Sequence, residues 1–123
     1  MAKRVAVIGA SSDPRKFGNR AVRSFVRSGY EVLPVNPNET TIEGLRAWRS
    51  VADIPGPIDM VTFYVPPEIG IGLIEDVAAA RPAEVWFNPG SEDDRLIERA
   101  RELGLRPILA CSIIGAGESA WED

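Results

Sequence analysis

The residues best suited to chemistry cluster near the start of the chain, where Gly9-Ala10-Ser11-Ser12-Asp13-Pro14-Arg15-Lys16-Phe17-Gly18-Asn19 follows an apolar run. Their types suit a bound phosphate. Gly9 lets the backbone turn sharply and approach a ligand, and Ser11 and Ser12 offer hydroxyls as well as N–H groups. Arg15 and Lys16 add positive charge. A helix beginning at Asn19 would aim its unpaired N–H groups and positive dipole end at an anion. The spacing is not the G-x-G-x-x-G of a dinucleotide turn, because the glycine after Gly9 comes only at Gly18. A longer loop can wrap a ligand with more phosphate to hold.

Other chemistries are poorly supplied. The 123 residues contain no histidine and one cysteine, Cys111. Histidine acid/base and phosphohistidine chemistry are therefore excluded, and a zinc site is not expected. One cysteine forms no internal disulfide and suits a reducing cytoplasm. Cys111, at a strand end, reads as a small buried hydrophobe rather than a reactive thiol. Asp13, Glu68, Glu92, Asp93 and Asp94 make no obvious acid/base pair. A net charge of −4 argues against a general nucleic-acid binder. No apolar run reaches transmembrane length, and the N-terminus has no signal-peptide pattern.

The elements that must position the loop alternate along a single domain spanning 1–123. Apolar runs at 4–8, 31–35, 59–65, 84–87 and 106–110 read as strands, with 41–48 a weaker edge strand. A helix over 19–28 carries Val22, Phe25 and Val26 inward, and its Arg20, Arg23 and Arg27 read as a solvated face. A short helical turn is expected within 50–57. Pro67 opens a helix with Ile71, Ile74, Val77 and Ala78, and residues 91–94 resemble a capping box for another. The tail, 112–123, gives no assignment. Strand–helix alternation predicts right-handed crossovers: a doubly wound, Rossmann-like α/β sheet of five to six parallel strands, with 4–8 at its centre.

In such a sheet a ligand lies beyond the carboxyl ends of the strands. Four of those ends run into GASS, NPN, PPE and NPGS. Tight turns use the same residues, yet four such loops on one edge point to a site. Where an NAD-binding domain places an acid, this chain has Asn36-Pro37-Asn38, which counts against NAD.

Taken together, VAVIGASSDP (5–14), RAV (20–22), GYEVLPVNP (29–37), Gly44 with VADIPGPIDMV (51–61), YVPPE (64–68) and EVWFNPG (84–90) cover most of the chain in order. In this the chain resembles the small stand-alone CoA-binding proteins, and more distantly the CoA-binding domain of the succinyl-CoA synthetase alpha subunit. The resemblance implies that the ligand is coenzyme A or an acyl-CoA. It implies that the Gly9-Ala10-Ser11 loop and the helix start at Phe17, Gly18 and Asn19 hold the phosphates, beside Ser12, Arg15 and Lys16 read above as further donors. Val35, Asn36 and Pro37 would border the adenosine. Tyr64, Val65, Pro66 and Pro67 would lie against adenine or pantetheine, with Asn88, Pro89 and Gly90 across the crevice.

The function read from this is non-catalytic binding of CoA or acyl-CoA, as a sensor, carrier or regulatory module. The alternative is a nucleotide-binding enzyme subunit: an NAD-dependent oxidoreductase, or the CoA-binding half of a split acyl-CoA synthetase. No turnover is expected from the chain alone. A partner enzyme stays open, as does a homodimer through Trp48 or Trp121. Because CoA carries a 3′-phosphate besides its pyrophosphate, CoA is expected to bind more tightly than dephospho-CoA, and NAD least tightly. Gly9→Val is expected to weaken binding while sparing the fold.

Overall fold

A computed structural model describes residues 2–115. Its main sheet is built from β1 (Arg4–Ile8), β2 (Glu31–Val35), β5 (Met60–Phe63), β6 (Glu84–Phe87) and β7 (Pro107–Leu109). All are parallel, in the order β2-β1-β5-β6-β7. The apolar runs set this directly, since a parallel strand is covered on both faces and has no polar alternation. Val5, Ala6, Val7 and Ile8 are all at most 2% exposed. Ala6 and Ile8 join one core with Leu33, Val61, Phe63 and Phe87, while Val5 and Val7 join another with Val32 and Met60.

Helices cover both faces. α1 (Phe17–Arg27) and α5 (Ser112–Gly115) lie on the Val5/Val7 side, α1 through Ala21, Val22 and Phe25, and α5 through Ile113. The opposite core holds Ile74 and Val77 of α3 (Ile74–Ala80), and Leu96, Ile97 and Ala100 of α4 (Asp94–Glu102). This is the expected doubly wound, Rossmann-like α/β domain, with five strands.

Local differences from the sequence reading have identifiable causes. β1 is interior, but the middle strand is β5, because the chain crosses from β2 back over β1. Residues 41–48 add no strand to the main sheet. They make a two-residue hairpin, β3 (Thr41–Ile42) with β4 (Leu45–Arg46), that meets the main sheet through a bridge from Trp48 to Val35. Trp48 is half-buried beneath the Arg46 guanidinium, 3.9 Å from its ring centroid. Trp121 lies outside the described residues.

The helix opened by Pro67 splits into α2 (Pro67–Gly70) and α3. Gly70 is packed where a Cβ would come within 3.0 Å of Leu96 Cδ2. The capping role assigned to Ser91 belongs to Asp93, whose carboxylate accepts from the Leu96 N–H at 2.8 Å. Val26 is exposed rather than inward. Arg20 and Arg23 are half-buried rather than solvated.

Candidate functional site

Strand order reverses between β1 and β5, and around that point all five strand ends line one cleft of about 880 Å³. This size is within the range of roughly 300–1,000 Å³ usual for small-molecule sites. From the first connection come Gly9, Ala10 and Ser11, then Arg15, Lys16, Phe17 and Gly18 at the entry to α1. The later ends add Asn36, then Tyr64, Val65 and Pro66, then Asn88, Pro89 and Gly90.

Ser12, Asn19, Val35, Pro37 and Pro67 are not part of that lining. Val35 is 6% exposed within the core. Three lining residues were not in the sequence-based set: Glu39, Ser91 and Cys111. Cys111 is half-buried and faces the cleft, so the reading of it as a buried hydrophobe is corrected.

The loop is held from below. α1 begins at Phe17 rather than at Asn19, with Lys16 as its N-cap and no side chain capping it. Asn19, the third residue of α1, is fully buried and works as a clamp. Its Nδ2 donates to the Ser11 carbonyl at 2.9 Å and to Glu43 Oε2 at 3.0 Å, while its Oδ1 accepts from Arg23 Nε at 2.7 Å. Both N–H donors and the carbonyl oxygen of this amide are therefore engaged within the protein.

The loop's own polar groups are similarly engaged. The Asp13 N–H donates to Ser11 Oγ at 3.0 Å. The Ser12 N–H donates to Glu39 Oε2 at 3.1 Å. Asn36 donates through Nδ2 to the Ala10 carbonyl at 2.9 Å, and its Oδ1 accepts from the Asn38 N–H at 2.7 Å. The NPN turn thus braces the first loop.

Arg15 lies on the cleft's lip with its side chain 88% exposed, and its guanidinium meets Asp13 through Nε–Oδ1 and Nη2–Oδ2, both 3.0 Å. These hydrogen bonds hold the Asp13 carboxyl down at about 2. Because the folded-state pKa is depressed, any stability from this pair is present above the ordinary value of 3.8 and is lost as pH falls through about 2. A carboxyl-detected NMR titration is expected to place the Asp13 midpoint near 2, and Arg15→Ala to return it towards 3.8. An unchanged midpoint in Arg15→Ala would assign the shift to the backbone instead.

The far wall is a closed polar network. Asn88 is 2% exposed, and its Nδ2 donates to Thr62 Oγ1 at 2.6 Å and to the Phe63 carbonyl at 2.8 Å. Its Oδ1 accepts from the Ser112 N–H at 2.7 Å and from Ser112 Oγ at 3.0 Å. With the Ser112 proton committed to that acceptor, the hydroxyls of Thr62 and Tyr64, each 2.8 Å from Ser112 Oγ, must donate to it. Burial raises the Tyr64 phenol pKa, which keeps it in the donating form. The Asn88 side chain is therefore a strut between β5, β6 and α5.

Fold and cleft define the class: a Rossmann-like domain whose ligand cleft lies at the point where strand order reverses. The chain belongs to the CoA-binding domain family, whose model matches residues 3–116. It is 33% identical over 115 residues to the alpha subunit of an ADP-forming acetate–CoA ligase II of Pyrococcus furiosus, covering 85% of this chain and 25% of that protein. It is 29% identical over 107 residues to the uncharacterized protein YneT of Bacillus subtilis, covering 87% of this chain and 79% of that one. A conserved hypothetical protein from Pyrococcus furiosus superposes with TM-score 0.84 at 33% identity, covering 94% of this chain and 99% of that one. The chain thus spans about a quarter of the ligase subunit and most of the small proteins.

Proposed function

We propose that this cleft binds coenzyme A or an acyl-CoA without transforming it, and that the chain acts as a sensor, carrier or regulatory module in the cytoplasm. The observation that carries the reading is the meeting of Lys16, Phe17 and Gly18, at the uncapped start of α1, with apolar walls at Val65 and Pro66. The helix start suits a pyrophosphate. Asn36 borders the adenosine side, and the Tyr64–Pro66 turn offers an apolar path for pantetheine towards Pro89 and Gly90. The ligand thiol would then end near Cys111, where the chain supplies no histidine to act as a base.

A second reading is supported by the ligase relatives: the chain serves as the CoA-binding part of a split acyl-CoA synthetase, with a partner polypeptide supplying the chemistry. Both readings require the same ligand. Titration calorimetry at one salt concentration is expected to show CoA binding, with NAD markedly weaker. NAD binding more tightly than CoA would overturn both.

A further inference from the structure

Glu39 is the acidic side chain lining the cleft among the described residues, and it lies just beyond the end of β2. Its Oε2 accepts from the Ser12 N–H at 3.1 Å and from Asn36 Nδ2 at 3.3 Å. The carboxylate therefore bridges the connections that follow β1 and β2. In doubly wound nucleotide folds an acid at this place accepts hydrogen bonds from ribose hydroxyls and disfavours a phosphate on the ribose. We infer that Glu39 reads the ribose of the bound nucleotide, so that the cleft favours a CoA-type ligand with a free 3′-hydroxyl over one carrying a 3′-phosphate.

The inference rests on the CoA reading and reverses one expectation drawn from the sequence. That expectation counted Ser11, Ser12, Arg15 and Lys16 as the donors that the additional 3′-phosphate would use. The Ser12 N–H is taken by Glu39, and Arg15 is bound to Asp13. Lys16 stands at the N-cap of α1, where a pyrophosphate would use it. On the adenosine side, a phosphate monoester carrying close to two negative charges would instead face a carboxylate.

A carboxylate and a phosphate monoester about 4–5 Å apart in a water-filled cleft repel enough to cost about tenfold in affinity, and less as salt rises. The test is calorimetry with dephospho-CoA and CoA on the wild-type chain, Glu39→Gln and Glu39→Lys. Glutamine keeps an acceptor for the Ser12 N–H while removing the charge. Thermal unfolding of each variant checks that it is folded.

Dephospho-CoA is expected to bind wild type about tenfold more tightly, with the preference shrinking in Glu39→Gln and inverting in Glu39→Lys. Equal or tighter binding of CoA by wild type overturns the inference and leaves the CoA reading standing. A preference unchanged in folded Glu39→Gln also overturns it. Failure of both ligands to bind wild type overturns the CoA reading and, with it, this one.

Discussion

Gly18→Ala is expected to lower the unfolding free energy by about 2–4 kcal/mol, a large effect for the addition of one methyl group. A Cβ on Gly18 would overlap the Gly9 carbonyl oxygen and lie 3.0 Å from the Gly9 carbonyl carbon and 3.3 Å from Ala10 Cα. Every atom it meets is backbone at the end of β1. No rotamer change relieves the clash, so α1 must lift away from the sheet. Gly9 is constrained from the other side. Its φ is +91°, and a Cβ there would stand 2.9 Å from both the carbonyl carbon and oxygen of Tyr64.

Gly9→Ala thus combines backbone strain of roughly 1–2 kcal/mol with a clash against β5. The expectation that Gly9→Val would damage binding and spare the fold is corrected: the same position closes the β1–β5 junction. Gly29→Ala separates the two effects, because Gly29 has φ +87° with nothing within 4 Å of its added Cβ. Denaturant unfolding should order the losses as Gly18→Ala and Gly9→Ala well above Gly29→Ala. Equal stability of Gly18→Ala and wild type would mean that α1 is not seated on the Gly9 carbonyl.

These glycines also mark how far the sequence could be read. The five strands were legible because each is an apolar run of branched or aromatic residues, the pattern that double coverage by helices demands. The cleft was legible because glycine, proline, serine and asparagine gathered at their carboxyl ends. Asn19 was misplaced for a physical reason. A polar residue at a helix start resembles a cap, and only the tertiary partners, the Ser11 carbonyl and Glu43 of the β3–β4 hairpin, show it to be a buried clamp.

At the end of β2 the sequence puts Asn36 where an NAD-binding domain has an acid, while the acid that lines the cleft comes three residues later at Glu39, beyond a Pro-Asn turn that brings its carboxylate to the Ser12 N–H. An acidic residue just past β2 was a usable signal. Arg20 and Arg23 were read as solvated because charge alone does not disclose a neighbour. Arg23 donates to Asn19, and the Arg20 guanidinium lies 5.5 Å from the Phe17 ring centroid. Ser91 resembled a helix cap only until Asp93 was seen accepting from the Leu96 N–H.

Asn88→Ala is expected to cost about 3–5 kcal/mol and to loosen α5 before the rest of the domain, since buried polar groups left without partners cost about 1–3 kcal/mol each. The amide closes a cycle in which Thr62 donates to Ser112, Ser112 to Asn88, and Asn88 back to Thr62. Truncation leaves the Ser112 N–H without its acceptor and Thr62 Oγ1 without its donor, both in residues that are 0% exposed. The Phe63 carbonyl loses the same donor. The lost bonds are the ones that tie Ser112 at the start of α5 to β5 and β6, which is why the loss should be local first. Amide exchange at Ser112 and Ile113 should quicken before exchange in β1 or β5 does. Cys111, half-buried on the cleft next to α5, should react faster with a disulfide reagent. Ser112→Ala removes the shared hydroxyl but keeps the Ser112 N–H bond to Asn88, so it should cost less than Asn88→Ala. Asn88→Ala with stability within about 1 kcal/mol of wild type, or with unchanged protection at Ser112, would show that the strut does not hold α5 to the sheet.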